Sequence, residues 1–201
     1  MTSKLIAIAA VAAIAGVLLA APATQAAVLY SNGPINGTID AWYISNGYAV
    51  TDSFTLFSAA TVTGVDFGEW TSGGVPSTVG WSITTDAFSV TTLASGTASL
   101  SSVYLHNAFG YAVYETSFSI PGLSLAAGTY WLELADASSH GFWDENDGPS
   151  LAFENTTSEP IRSESFDIVG TAGQAAPEPA SLLLLGSSLV ALASMWRRKH
   201  A

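Results

Sequence analysis

The chain has 201 residues and a formal net charge of −11 at pH 7, from 16 acidic and five Lys or Arg side chains. Four of those cations lie near the two ends, so residues 27–176 carry 15 acids against Arg162 alone, a net charge of −14. Nucleic acid and anionic lipid are excluded as partners of this part, because both bind basic surfaces. The absence of cysteine excludes disulfides, zinc–thiolate sites and thiol nucleophiles.

The N-terminal segment has the layout of a secretory signal peptide. Lys4 supplies a positive charge, residues 5–20 are apolar, and small residues follow. This pattern predicts a signal peptide over residues 1–26, with cleavage after Ala26 or, as the alternative, after Ala23. A membrane anchor that is retained is the other interpretation. Removal of the signal leaves roughly 150 residues before the C-terminal tail, enough for one domain.

The middle part, residues 27–169, has the pattern of a β-protein. Several segments alternate apolar and polar residues with period two, which predicts strands with one buried face. The predicted inward positions are Phe54 and Leu56; Val79, Trp81 and Ile83; Tyr114, Phe118 and Ile120; Tyr130, Leu132 and Leu134; and Phe166 and Ile168.

Turn signals separate these segments, including Asn46-Gly47, Pro121-Gly122 and Asp147-Gly148-Pro149. We expect eight to ten strands between Tyr43 and Val169. The pattern predicts an all-β fold, an antiparallel β-sandwich, with the jelly roll among the topologies it allows. Residues 170–176 are small and are predicted to form a flexible linker.

The densest polar cluster is Asp144, Glu145, Asn146 and Asp147. Three carboxylates and an amide suit a hard cation that prefers oxygen ligands, such as calcium. The EF-hand spacing fails, because glycine and proline follow Asp147 where that loop needs a ligand and a glycine. The alternative is an acidic surface loop that ends in a turn. Calcium is the one cofactor that the sequence suggests.

Three tryptophans are candidates for binding glycans. Trp131 shares a strand face with Glu133, Trp143 is predicted to lie in a polar loop with the acidic cluster, and Trp70 follows Glu69. Exposed indole rings can stack on the apolar faces of sugars, while nearby carboxylates accept hydrogen bonds from hydroxyl groups. The alternative is that these rings fill the core of the sandwich.

The sequence contains no signature of catalysis. There is no Gly-x-Ser-x-Gly nucleophile elbow and no glycine-rich phosphate loop. His106 and His140 have no metal-ligand spacing. Glycoside hydrolysis needs two carboxylates about 5–10 Å apart across a cleft, and an abundance of acids does not establish such a pair. We therefore expect that the chain is not an enzyme.

The last 25 residues contain a proline motif, an apolar segment and a basic cluster, in the order Pro177-Glu178-Pro179, residues 182–196 and Arg197-Arg198-Lys199. The prolines favour extended backbone. As a helix, residues 181–196 would span ~24 Å, slightly less than a bilayer requires. The basic cluster is expected to stay on the cytoplasmic side. Residues 177–201 are thus predicted to hold a single transmembrane helix.

In this order of features the tail resembles the sorting signal of the PEP-CTERM proteins of Gram-negative bacteria. The resemblance implies export by the secretion machinery, transient anchoring in the inner membrane, and recognition of Pro177, Glu178 and Pro179 by an exosortase. It also implies residence at the cell surface or in the extracellular matrix, accompanied by exopolysaccharide.

A second resemblance covers roughly residues 41–169 and is to a sandwich domain that occurs in many PEP-CTERM proteins. It rests on residues 65–70, 79–84, 128–134, 142–150 and 164–168. This second resemblance implies a fold and a cellular location and does not imply a reaction. A carbohydrate-binding or calcium-dependent adhesin is the alternative to a structural matrix protein.

Overall fold

Alternating apolar and polar residues give twelve β-strands and no helix in residues 26–173, which are the residues that the computed structural model describes. The strands are β1 (Ala27–Ser31), β2 (Ala41–Tyr43), β3 (Ala49–Leu56), β4 (Ala60–Thr71), β5 (Thr78–Thr84), β6 (Thr92–Ser99), β7 (Ser101–Ala108), β8 (Tyr111–Leu125), β9 (Gly128–Ala135), β10 (Gly141–Asp144), β11 (Ala152–Glu154) and β12 (Phe166–Ala172).

The strands form two antiparallel sheets, which confirms the predicted all-β class and is consistent with a β-sandwich. In the first sheet β8 lies along one side of β4, with β7 beyond it. On the other side of β4, β12 and β10 lie end to end, and β1 and β2 form the edges. The second sheet has the order β11-β3-β9-β5-β6.

The core lies between the sheets and is built from the predicted inward positions. Phe54, Leu56, Trp81, Ile83 and Phe118 are buried, as are Leu132, Leu134, Phe166 and Ile168. Each fully buried side chain of this size contributes roughly 1.5–3 kcal/mol. Tyr130 is half-buried against the same cluster. The prediction of these faces is confirmed.

Strand β8 runs through Pro121 and Gly122, where the sequence predicts a turn. Its pairing with β4 shifts between Val62 and Gly64, so that three β8 residues lie opposite one β4 residue. A bulge of this kind tolerates proline, because the extra residue does not need to donate a ladder hydrogen bond. The turn prediction at this site is wrong for that reason.

The sandwich begins and ends with two paired strands. Ala27 at the start of β1 lies opposite Gly170 in β12, and β12 pairs with β4 as far as Ala172. Gly170, which the sequence analysis places in a linker, belongs to this strand. A Cβ there would meet the Thr61 carbonyl oxygen at 2.1 Å, so close packing accounts for the glycine.

The predicted signal peptide and sorting tail lie outside the described residues. Within residues 26–173, no helix has the length and hydropathy needed to cross a membrane.

Candidate functional site

Asp144, the first residue of the predicted cation cluster, is fully buried beneath the loop that joins β1 and β2. Its Oδ2 accepts hydrogen bonds from the Asn36 amide at 2.9 Å and the Ser165 hydroxyl at 3.1 Å. Its Oδ1 accepts from the Gly37 amide at 3.1 Å and from the Trp70 indole. Burial raises the pKa of Asp144, and these hydrogen bonds oppose the rise. Asp144 therefore attaches the loop to the sheet.

The next two residues of the cluster also make hydrogen bonds within the protein. Glu145 accepts from the Trp42 indole at 2.9 Å. Asn146 donates to the Asn32 carbonyl at 2.7 Å and accepts from the Gly148 amide at 2.8 Å. Asp144, Glu145 and Asn146 are all buried, so the prediction of a surface loop is wrong for these three positions.

Asp147 is the exposed member of the cluster, and its Oδ1 lies 3.5 Å from Nη1 of Arg162. A surface ion pair of this kind contributes about 0–1 kcal/mol. In the part of the chain that the structure describes, no group of three or more acidic or histidine side chains is arranged to hold a metal ion. The geometry thus gives no support to the calcium prediction, because the cluster's buried oxygens already accept hydrogen bonds from the protein.

Three further acids, Asp52, Glu69 and Glu164, are fully buried, although the sequence indicates Glu69 only as an accessible carboxylate beside Trp70. Asp52 Oδ2 accepts from the Glu164 amide at 2.7 Å, whereas its Oδ1 has no hydrogen-bond partner within residues 26–173. Neither carboxyl oxygen of Glu69 or Glu164 has a partner there. The sequence does contain a signal, since Glu69 follows Val65 and Phe67 on the inward face of β4.

Burial is the main cause of the pKa shifts of these acids. It raises the pKa of Asp52 to about 7 and that of Glu69 to about 8. The pKa of Glu164 is raised well above its ordinary value, first by burial and then by the charge of Asp52. Burial penalises the charged form of a carboxyl group, and the hydrogen bonds that Asp52 accepts offset this only in part. These groups are therefore protonated in mildly acidic solution.

Two of the three candidate tryptophans are buried, which corrects the expectation that they are exposed. Trp143 belongs to β10 rather than to a polar loop, and its indole donates to the Ser165 carbonyl at 3.0 Å inside the core. Trp70 is covered by Phe109, which stacks on it at 5.9 Å. Trp131 is half-buried on the outer face with Glu133, as alternation predicts. Its ring centroid lies 5.8 Å from that of Phe153.

The outer face of the first sheet carries a line of neighbouring rings, here called the aromatic row. Its successive members are Tyr48, Tyr43, Phe142, Tyr111, Trp70 and Phe109, with ring centroids 4.6–6.1 Å apart. The register brings them together, because Phe142 of β10 lies between Tyr43 of β2 and Trp70 of β4. No sequence pattern indicates the aromatic row, because its members are scattered from residue 43 to residue 142.

An open groove of about 420 Å³ lies beside the first rings of the row. One side of it is formed by edge strand β2 with Tyr48 and Phe142, and the other by Glu154, the last residue of edge strand β11, with Thr156 and Thr157 after it. We call it the β2–β11 groove. Its volume is within the range of roughly 300–1,000 Å³ that is usual for small-ligand sites.

The C-terminal segment is where the chain resembles known proteins. Residues 175–199 match the sequence model of the PEP-CTERM protein-sorting motif. The chain carries a PEP-CTERM motif. This match contains all of Pro177, Glu178 and Pro179, and it contains the basic cluster Arg197, Arg198 and Lys199. No curated protein sequence matches the chain.

The PEP-CTERM motif supports an exported protein with a membrane-anchored precursor that an exosortase processes. The matched segment begins three residues after β12 ends at Ala172. It therefore includes no part of the sandwich, and the function of the sandwich has to be argued from its own residues.

Proposed function

We propose that this chain is an exported structural protein of the cell surface or extracellular matrix, associated with exopolysaccharide. The sandwich is the functional part, and the tail directs where it is delivered. The observation that carries the proposal is the PEP-CTERM motif at residues 175–199, immediately after a folded domain that reaches Gly173.

The boundary between sandwich and motif suits proteolytic processing. The last described hydrogen bond of the domain runs from the Gly173 amide to the Ala59 carbonyl at 2.7 Å. Pro177 lies four residues further along the chain. An enzyme that cuts near Pro177, Glu178 or Pro179 would remove none of the twelve described strands, so the processed protein keeps this part of its fold.

The predicted N-terminal cleavage also falls outside the sandwich. Cleavage after Ala26 leaves Ala27, the first residue of β1. Cleavage after Ala23 adds three residues before that strand. Either product keeps β1, which pairs with β12. Without β1, that edge of β12 would be unpaired.

The proposal assigns recognition to this chain and catalysis to its partner. Pro177, Glu178 and Pro179 are the elements that the exosortase reads, and the reacting groups belong to that enzyme.

A second candidate function, a carbohydrate-binding module, is favoured by the aromatic row and the β2–β11 groove. The calcium-dependent form of this candidate has no support in the geometry, because Asp144 already accepts four hydrogen bonds.

Cell fractionation of two matched variants tests the sorting proposal. Glu178→Ala alters the motif, whereas Glu159→Ala alters an exposed Glu-Pro pair in the sandwich. We expect Glu178→Ala to accumulate in the inner membrane and Glu159→Ala to reach the surface or matrix like the wild type. Equal delivery of both variants would refute recognition through the motif.

A further inference from the structure

We propose that the β2–β11 groove and the adjoining aromatic rings bind a neutral polysaccharide chain. This inference rests on the proposed association with exopolysaccharide and adds to it a binding site, a ligand class and named contacts. It replaces the predicted glycan site at Trp70 and Trp143, which are buried.

The rings at the groove are presented on the outer face instead of being packed in the core. The ring centroid of Tyr43 lies 4.6 Å from that of Phe142 and 5.3 Å from that of Tyr48. The Tyr48 residue is 41% exposed. The Tyr43 hydroxyl contacts His140 and Asn46, which holds its ring in place before any ligand arrives. Fixed rings lose little conformational freedom on binding, and their apolar faces match the C–H faces of sugar rings.

Glu154 supplies a hydrogen-bond acceptor in the lining of the groove. It is only 2% exposed, and its Oε2 accepts from the amide and hydroxyl of Thr156 at 3.0 and 2.7 Å. Its Oε1 has no hydrogen-bond partner among the described residues. A buried acceptor without a donor is unfavourable, and the hydroxyl group of a sugar is a donor of suitable chemistry.

The charge of the region favours a neutral glycan over an anionic one. Glu154 lines the groove, and Glu145 accepts a hydrogen bond from Trp42, another lining residue. Arg162 is the one Lys or Arg of residues 26–173, and it pairs with Asp147. Uronate or sulfate groups would meet the Glu154 carboxylate here, and no Lys or Arg of the described residues lines the groove.

The groove lies far from the end of the sandwich that continues into the tail. On β4, Ala60 pairs with Ala172, whereas Trp70 pairs with Phe142 beside the groove. Ten residues of strand separate the two positions, which corresponds to about 33 Å. A polysaccharide in the groove would therefore lie far from Ala172, where β12 ends.

Calorimetric titration of the full chain, purified in a detergent without a sugar headgroup, tests the proposal. The probes are cellohexaose and chitohexaose as neutral oligosaccharides, with an oligomer of galacturonic acid as the anionic comparison. Tyr48→Ala removes an exposed ring of the row. Phe57→Ala is the matched control, because Phe57 is 90% exposed and follows β3 near the tail end.

Glu154→Gln tests the acceptor. The two Thr156 donors hold the amide oxygen, so the amide NH₂ takes the place of Oε1 and cannot accept a hydrogen bond. We expect a neutral probe to bind, Tyr48→Ala to weaken it about fivefold, and Glu154→Gln to weaken it about tenfold. Phe57→Ala should leave the affinity unchanged.

Three results would overturn the proposal. The first is that neither neutral probe binds, and the second is that the galacturonate oligomer binds more tightly than both. The third is that Tyr48→Ala and Phe57→Ala have equal effects. If Glu154→Gln fails to fold, the comparison of Tyr48→Ala with Phe57→Ala tests the proposal by itself. Binding is measured on purified protein, so it is independent of whether the exosortase processes the tail.

Discussion

Two buried carboxylates on adjoining strands, Asp144 of β10 and Glu69 of β4, differ in what surrounds their oxygens. Asp144 lies beneath a loop and accepts four hydrogen bonds, whereas Glu69 points into the core and has no partner within residues 26–173. Burial raises the pKa of both. The comparison shows that burial alone does not give an acid its role, because the available donors decide whether it acts as an anchor or is kept neutral.

Removal of the anchor has the largest expected effect. Asp144→Ala leaves the amides of Asn36 and Gly37 and the Trp70 indole without their acceptor. Several orphaned buried donors should lower the free energy of unfolding by about 3 kcal/mol or more. Chemical denaturation measures the change. The control is Asp147→Ala, which removes an exposed acid and should change stability by less than about 0.5 kcal/mol. Equal effects would show that Asp144 does not anchor the loop.

Two buried acids with raised pKa values, Asp52 and Glu69, predict that stability falls as the pH rises. The folded-state pKa values of Asp52 and Glu69, about 7 and about 8, lie above their unfolded values. The folded chain therefore binds more protons than the unfolded chain between about pH 4 and pH 8. The stabilisation is complete below the unfolded pKa and is lost as the pH passes the folded pKa. Calorimetry should show the melting temperature decreasing by at least about 5 °C from pH 4.5 to pH 8; a rise over this range would contradict the assignment.

A neutral substitute for Glu69 isolates one contribution to that slope. Glu69→Gln has no proton to lose, so we expect it to increase stability by about 2 kcal/mol more at pH 8 than at pH 4.5. Denaturation at the two pH values gives the difference. Glu159→Gln, at an exposed position, should show no such difference. A parallel response of the two variants would mean that Glu69 is ionised in the folded protein.

The contribution of a single donor to the anchor is smaller. Trp70→Phe keeps a ring beneath Phe109 and removes the indole N–H that donates to Asp144. One charge-assisted hydrogen bond predicts a loss of about 1–3 kcal/mol in the free energy of unfolding. In the Asp144→Ala background the same substitution should have less effect, because its partner is absent. Full additivity would show that the two side chains are not coupled.

The sequence predicts the fold where the period of a strand is unbroken, and it fails where tertiary contacts decide. Alternation identifies Phe54 and Trp81 as inward, and the same rule would have placed Glu69 inside, since it lies two residues beyond Phe67. Charged residues are assigned to solvent by default, which is why the buried acids were missed. Trp143 was placed in a polar loop because of its acidic neighbours, although the pairing of β10 with β4 turns it inward.

The site was less predictable than the fold, because it depends on pairing between distant segments. Tyr43 and Phe142 lie about a hundred residues apart in the chain, and only the register of β2 against β10 makes them neighbours. The acceptor Glu154 comes from the other sheet. The sorting motif is the opposite case, since its residues are contiguous and can be identified without any structure.

The intact mass of the wild-type protein recovered from the cell surface or matrix tests the central claim most directly. We predict a product that begins near Ala27 and ends near Pro177, Glu178 or Pro179, so that all twelve strands are retained. A surface or matrix protein that still contains residues 182–201 would contradict the account.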